Sequence, residues 1–74
     1  MNRQRRKKLQ EAFDLIGQVN DILDAVKDEE EESMENLPDS FRYGDKGEEM
    51  QNYIDMIDET IGYLEDAQSV IEQI

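Results

Sequence analysis

The side chains of this chain that could do chemistry are almost all carboxylates: it has 20 Asp and Glu residues, no His and no Cys. A carboxylate serves as a general base near neutral pH only when burial or a neighbouring charge raises its pKa. Thiolate metal sites and the Glu-x-x-His di-iron sites of helical bundles need residues that the chain lacks. The composition therefore argues against an enzyme and predicts no catalytic residue, no cofactor and no metal site.

The densest group of acids is the run 28–32, with Glu35 close behind it. Neighbouring residues of a helix point in different directions, so these carboxylates do not converge on one cation. The ligand spacing of an EF-hand is absent as well. We interpret the run as a solvated face and retain Asp28, Glu31 and Glu35 as candidates for contact with a basic protein partner.

A second candidate for partner binding is the triple Phe41, Arg42 and Tyr43. Aromatic residues and Arg are enriched among the residues that dominate binding energy at protein interfaces. The alternative interpretation is that the two aromatic rings fold back and cover the end of the helical core, next to Met34 and Met50, because exposed apolar rings lower solubility.

Two stretches must position these groups, and both have the three-and-four spacing of amphipathic helices. The apolar series are Leu9, Ala12, Ile16, Val19, Leu23 and Val26, and then Met50, Ile54, Ile57, Ile61, Leu64 and Ile71. The sequence predicts a single all-α domain, residues 1–74, with a basic arm or first turn at 1–8, helices at 9–36 and 46–73, and a connection at 37–45. Pro38 ends the first helix, and Asp45 with Glu48 predicts a capping box at the start of the second. Equal helix lengths and a short connection favour an antiparallel two-helix hairpin.

The apolar arc on each helix covers about half of its circumference, which is wider than a two-helix contact requires. A hairpin of this kind is expected to dimerise into a four-helix bundle or to pack on another protein. The residues predicted to mediate self-association flank the two series and are Phe13, Ile22, Tyr53, Tyr63, Val70 and Ile74.

The charge is distributed unevenly along the chain. Five of the eight basic residues lie within Arg3–Lys8, so residues 9–74 hold three basic and all 20 acidic side chains. That surface repels nucleic acid, so we expect a basic protein partner and no direct nucleic-acid binding. We interpret the basic cluster as lying beside the end of the second helix, near Glu65, Asp66 and Glu72. Contact with nucleic acid or anionic lipid is the alternative for this cluster.

No apolar run approaches the ~20 residues that span a bilayer, and no apolar stretch follows the basic N-terminus as in a signal peptide. The chain is cysteine-free. We therefore expect a cytoplasmic protein without a membrane partner.

Three segments carry a family resemblance: Asn36–Ser40, Gly47–Met50 and the opening Arg5–Leu9. With the acidic run before Asn36 and the Ile- and Glu-rich second helix, the chain resembles a family of small acidic proteins encoded on phages and integrative elements of Gram-positive bacteria. Phe41 and Tyr43 depart from the pattern of that family. The family has no settled activity, so the resemblance implies a mobile-element setting and no catalytic residues.

These observations lead to three functional hypotheses. The first is a non-enzymatic acidic module that binds a basic nucleic-acid-binding host protein and inhibits it by mimicking nucleic acid, by analogy with anti-defence proteins. The second is a self-assembling structural helical bundle whose charge only keeps it dispersed. The third is a regulator that touches DNA through Arg3–Lys8, although the acidic remainder of the chain opposes that contact.

Overall fold

The computed structural model describes all 74 residues, and they form two long helices packed antiparallel as a hairpin. Helix α1 spans Arg3–Glu35, the short helix α2 spans Asp39–Arg42, and helix α3 spans Asp45–Glu72. The molecule is a rod of 59 × 15 × 10 Å. The predicted all-α hairpin is confirmed, and the predicted connection is the region whose internal structure differs most, because it contains α2.

Helix α1 begins six residues earlier than the predicted start at residue 9. Asn2 is the N-cap, and its Oδ1 accepts a hydrogen bond from the backbone N–H of Arg5 at 2.8 Å. An Asn cap and a run of good helix formers outweigh the unfavourable effect of cations at a helix N-terminus. The basic cluster is therefore part of α1 and not a separate arm.

The basic cluster does lie beside the end of α3, but it makes fewer contacts there than expected. Arg6 Nη1 donates a hydrogen bond to the carbonyl oxygen of Ile74 at 3.0 Å. The expected ion pairs with Glu65, Asp66 and Glu72 do not form, since the single ion pair of the structure joins Lys27 to Asp58. The exposed side chains of the cluster remain in water, where such pairs are weak.

The connection packs closely on the start of α3 because residue 47 is glycine. A Cβ at Gly47 would overlap the backbone carbonyl of Arg42, the last residue of α2. The predicted capping box is wrong: Gly44 is the N-cap of α3, Asp45 is already helical, and no side chain caps the helix. The tight approach of α2 leaves the chain no room for the usual cap.

The contact between the long helices follows a seven-residue repeat, in which we label Leu9 and Met50 as position d. Positions a and d of both helices form the seam. Its members are Leu9, Phe13, Ile16, Asn20, Leu23, Lys27, Glu30 and Met34 of α1, and Gly47, Met50, Ile54, Ile57, Ile61, Leu64, Gln68 and Ile71 of α3, all of which are buried or half-buried. Placement of Val19 and Val26 in the apolar series facing α3 is wrong, because both are exposed and Asn20 and Lys27 take those places.

Candidate interaction surfaces

The exposed apolar residues of the two long helices occupy only two positions of the repeat. Apart from Met1, Phe41 and Tyr43, every large hydrophobic residue that is exposed lies at position c or g. We call this set the apolar side: Leu15, Val19, Ile22 and Val26 of α1, Tyr53, Met56, Tyr63 and Val70 of α3, and Ile74 just after α3. Each long helix thus carries a second series of apolar residues, at positions c and g, in addition to its seam residues at a and d.

Both series lie on the same side of the hairpin. A two-fold axis normal to the plane of two antiparallel helices relates equal heptad positions, so positions c and g of both helices share one side and positions e and b share the other. Contacts at the opposite side agree with this geometry. Lys27 at the seam is surrounded by Asp24 and Glu31 of α1 and by Asp58 of α3, all at position e.

Positions e and b form the acidic side. Within the long helices its acidic members are Asp14, Asp21, Asp24, Asp28, Glu31 and Glu35 of α1, and Glu48, Asp55, Asp58, Glu65 and Glu72 of α3. Arg3 and Lys7 are the only basic residues at positions e and b, and both lie in the first two turns of α1. The hairpin therefore separates these 11 carboxylates from its exposed apolar residues.

The polar residues of the seam are concentrated at position a, next to the acidic side. Asn20 is only 8% exposed, and its side-chain Oδ1 has no hydrogen-bond partner. Gln68 Nε2 donates to the carbonyl oxygen of Phe13 at 3.1 Å. Lys27 Nζ donates to Asp58 Oδ1 at 2.8 Å, and this hydrogen bond is the main cause that raises the pKa of Lys27.

Position d has the opposite character, since it borders the apolar side. Leu9, Ile16 and Leu23 of α1 stand there, yet each stays half-buried. Only three large apolar residues are buried, Met50, Ile54 and Ile61. The hairpin alone thus leaves an apolar arc through positions d, g and c incompletely covered.

The tip of the hairpin exposes the aromatic residues of the predicted triple. Phe41 is 56% exposed and Tyr43 is 81% exposed, so the alternative in which both rings cover the core is wrong. The Arg42 guanidinium lies 5.7 Å from the centroid of the Tyr43 ring, within cation–π distance. Arg42 and Tyr43 border an open groove of about 470 Å³ together with Met34, whereas Phe41 does not.

The three acidic candidates lie apart from the tip groove, which none of them lines. Asp28 and Glu35 are exposed, and Glu31 is half-buried near Lys27 on the acidic side. The structure therefore assigns Asp28, Glu31 and Glu35 to the acidic side, and it does not combine them with Phe41, Arg42 and Tyr43 into one site.

Two tyrosines of the apolar side are tied to carboxylates four residues earlier on α3. Tyr53 donates to Glu49 Oε1 at 2.8 Å, and Tyr63 donates to Glu59 Oε1 at 2.7 Å. These hydrogen bonds, followed by the negative charge of the same carboxylates, raise the pKa of both phenols. The paired rings are held along the surface of the helix by this i, i+4 contact.

The structure places the residues predicted for self-association in two groups. Ile22, Tyr53, Tyr63, Val70 and Ile74 are exposed on the apolar side. Phe13 is half-buried at position a of the seam, where its backbone accepts the hydrogen bond from Gln68. Sequence reasoning missed Leu15, Val19, Val26 and Met56 as members of the apolar side. The signal that identifies them is a seven-residue spacing, which separates Leu15 from Ile22, Val19 from Val26 and Met56 from Tyr63.

Comparison of the chain with known protein families, curated proteins and solved structures finds no match in any of the three. The resemblance to acidic proteins of mobile elements therefore stays a prediction. No helix of the chain combines the length and the hydropathy needed to cross a membrane.

Proposed function

We propose that this chain is a non-enzymatic protein-binding module of mobile-element type, whose acidic side binds a basic protein. The observation that supports the proposal is the separation of the two surfaces, with rows of carboxylates along one side and the exposed apolar residues on the other. A basic nucleic-acid-binding protein of the host is the partner whose charge best fits these rows, and occupation of its binding surface would inhibit it by mimicking nucleic acid.

The regular spacing of the acids supports this choice of partner. Asp14, Asp21, Asp28 and Glu35 recur every seven residues at position b, so they form a row along one edge of α1. Seven residues of helix rise about 10.5 Å, and the row extends over about 30 Å. A negative row of that length attracts a basic surface and orients it, and the attraction weakens as salt rises.

Affinity capture from the natural host, followed by calorimetry of the captured partner at increasing salt, tests the proposal. We expect Asp14→Asn combined with Asp21→Asn and Asp55→Asn to weaken binding by about tenfold or more, because charged contacts set orientation and association rate. The control removes three charges at the loop end with Glu32→Gln, Asp39→Asn and Asp45→Asn, and we expect it to retain binding. Affinity that does not change with ionic strength would overturn the mimicry.

The second candidate function is self-assembly into a structural bundle without a charge-driven partner. It is favoured by the exposed apolar side, which places Ile22 at 63% and Tyr63 at 65% exposure in the lone hairpin. We propose that two hairpins associate through this side into a four-helix bundle, which leaves both acidic sides outward. Self-association through the apolar side is also compatible with the first proposal, since the two contacts use opposite surfaces.

Sedimentation of the pure protein tests the self-assembly. We expect a dimer whose dissociation constant is independent of moderate changes in salt, because the contact is mainly apolar. A monomer at all accessible concentrations would overturn the association, and it would leave the acidic side as the only interaction surface.

A further inference from the structure

We propose that the occupant of the apolar side is a second copy turned end to end, so that Arg5 and Lys8 of each copy meet Glu29 and Glu49 of the other. This inference rests on the self-association proposed above and gives it a direction. The two copies would pack face to face, with the loop end of one beside the chain ends of the other.

The first observation is the charge at the two ends of the apolar side. At the end near the chain termini, positions g and c are occupied by Arg5 and Lys8, which border one shallow depression with Leu9. At the loop end, position c is occupied by Glu29 and Glu49. An apolar centre therefore lies between a positive end and a negative end, all on one side of the hairpin.

Additional negative charge gathers at the loop end. Glu49 accepts the hydrogen bond of Tyr53, and Glu30 is close enough to contribute to the raised pKa of that tyrosine. Lys46 at position g is the one base at this end of the apolar side, and it lies farther out than either glutamate of position c.

The second observation is that these charges are evenly spaced about the middle of the apolar side, at Val19 and Tyr63. Lys8 precedes Val19 by 11 residues and Glu29 follows it by 10, which places them about 16 and 15 Å from the middle. Arg5 precedes Val19 by 14 residues and Glu49 precedes Tyr63 by 14, so both lie about 21 Å from the middle, at opposite ends. A two-fold axis through the middle and perpendicular to the rods stacks α1 on α1 of the other copy, so it brings Lys8 opposite Glu29 and places Arg5 at the same end as Glu49.

The same geometry disfavours the alternative direction. With both loop ends together, Arg5 and Lys8 of both copies would gather at one end, and Glu29 and Glu49 of both copies at the other. Like charges that lie close together at an interface weaken association, whereas ends of opposite charge fix the direction in which two copies pack. A basic protein partner is also a poorer occupant, since its charge would find carboxylates only at one end of this apolar side.

Charge reversal tests the direction. We expect Arg5→Glu with Lys8→Glu to weaken the dimer by about tenfold or more, because two repulsive contacts arise at each end. Glu29→Lys with Glu49→Lys should weaken it similarly, and the variant that carries all four changes should recover affinity within about threefold of the native protein. All four side chains are exposed in the hairpin, and an acid at residue 5 favours the first turn of α1, so these variants are expected to fold.

A matched control separates this effect from net charge. Arg3→Glu with Lys7→Glu makes the same change of charge at the same end, but at positions e and b of the opposite side. We expect it to alter the dissociation constant by less than about threefold, since exposed charges away from an interface are screened. Sedimentation equilibrium of all variants at one salt concentration gives the comparison.

A distance gives the direct readout. The chain has no Cys, so Gln4→Cys attaches one spin label to each copy. The end-to-end dimer separates the two labels by about 50 Å, whereas the parallel alternative brings them within about 30 Å. A dimer with the short distance, or one indifferent to Arg5→Glu with Lys8→Glu, would overturn the direction and leave the proposed association intact. A protein that stays monomeric would overturn both.

Discussion

The acidic side and the apolar side of the hairpin use the same two helices and the same repeat, yet they differ in what they leave unfinished. On the acidic side, Lys27 is paired with Asp58 and Gln68 is bonded to the backbone of Phe13. On the apolar side, every seam residue at position d except Met50 is only half-buried, and large hydrophobic residues at positions g and c beside them are exposed. Lys27 and Gln68 are therefore paired in the part of the seam next to the acidic side, whereas the apolar side leaves large hydrophobic side chains exposed.

This difference shows where the centre of the folded assembly should lie. If the hairpin functioned alone, polar residues would be expected at the outer edges and apolar ones along the whole seam. Instead Asn20, Lys27 and Gln68 stand in the seam at position a, and apolar residues extend outward from position d. This pattern supports the proposal that the hairpin forms one layer of a four-helix bundle.

The largest effect should come from a charge placed on the apolar side. We expect Val19→Glu to dissociate the dimer by more than about 100-fold and to lower the melting temperature, because an unpaired carboxylate buried at the interface costs several kcal/mol. Gln18→Glu adds the same charge one residue away at position f and should leave both quantities unchanged. Sedimentation and thermal circular dichroism check the pair. Equal behaviour of the two variants would contradict the difference between the sides.

The next effect concerns the buried part of the seam. Ile54 is only 3% exposed, and we expect Ile54→Ala to destabilise the fold by about 2–5 kcal/mol at any protein concentration. Met56 is 55% exposed on the apolar side, so Met56→Ala should destabilise only at concentrations that favour the dimer. Urea unfolding at high and low protein concentration distinguishes the two. A concentration-independent loss for Met56→Ala would place that residue in the core of the single hairpin.

A smaller effect, of opposite sign, is expected at Asn20. Its buried Oδ1 lacks a partner, so Asn20→Leu should stabilise the protein by about 1–2 kcal/mol in urea unfolding. A single polar residue in a helix seam also specifies how helices pair, so the variant should populate more than one oligomer. Destabilisation by this substitution would mean that Asn20 finds a hydrogen-bond partner in the assembled protein.

The sequence predicts the helices well because amphipathic spacing and Pro38 are strong local signals. It also predicts the apolar excess, since Ile22, Tyr53 and Tyr63 stand outside any series that one partner helix can bury. It fails where the choice is between neighbouring stripes: Val19 and Asn20 differ by one residue, and hydrophobicity alone assigns Val19 to the seam. Packing against α3 reverses that assignment, because Asn20 at position a is buried in the seam and Val19 at position g is exposed.

The tip could not be predicted for a different reason. The close contact of Gly47 with the carbonyl of Arg42 holds α2 against the start of α3, and helical periodicity, on which the sequence prediction rests, does not describe a contact between the backbones of two helices. Composition indicated an interaction site there, but it did not indicate that both rings remain exposed. The sequence signal for the close approach of α2 to α3 is the glycine at residue 47, in the first turn of α3.

The smallest effect concerns pH and the two tyrosines of the apolar side. Tyr53 and Tyr63 have raised pKa values because each phenol donates to a carboxylate of the folded helix. Since the protonated form is favoured by folding, this contribution to stability is fully present below the ordinary phenol pKa near 10 and is lost as pH rises through the pKa of the folded state.

The pKa of Lys27 is also raised, so its contribution to stability is lost in alkali as well. The test therefore compares the native protein with the double variant Tyr53→Phe, Tyr63→Phe, since both proteins keep Lys27. We expect stability to fall less steeply in alkali for the double variant, as measured by urea unfolding beside tyrosinate absorbance. Identical slopes would show that the hydrogen bonds to Glu49 and Glu59 do not persist in solution, and the apolar side would then present two freely rotating phenols instead of two fixed rings.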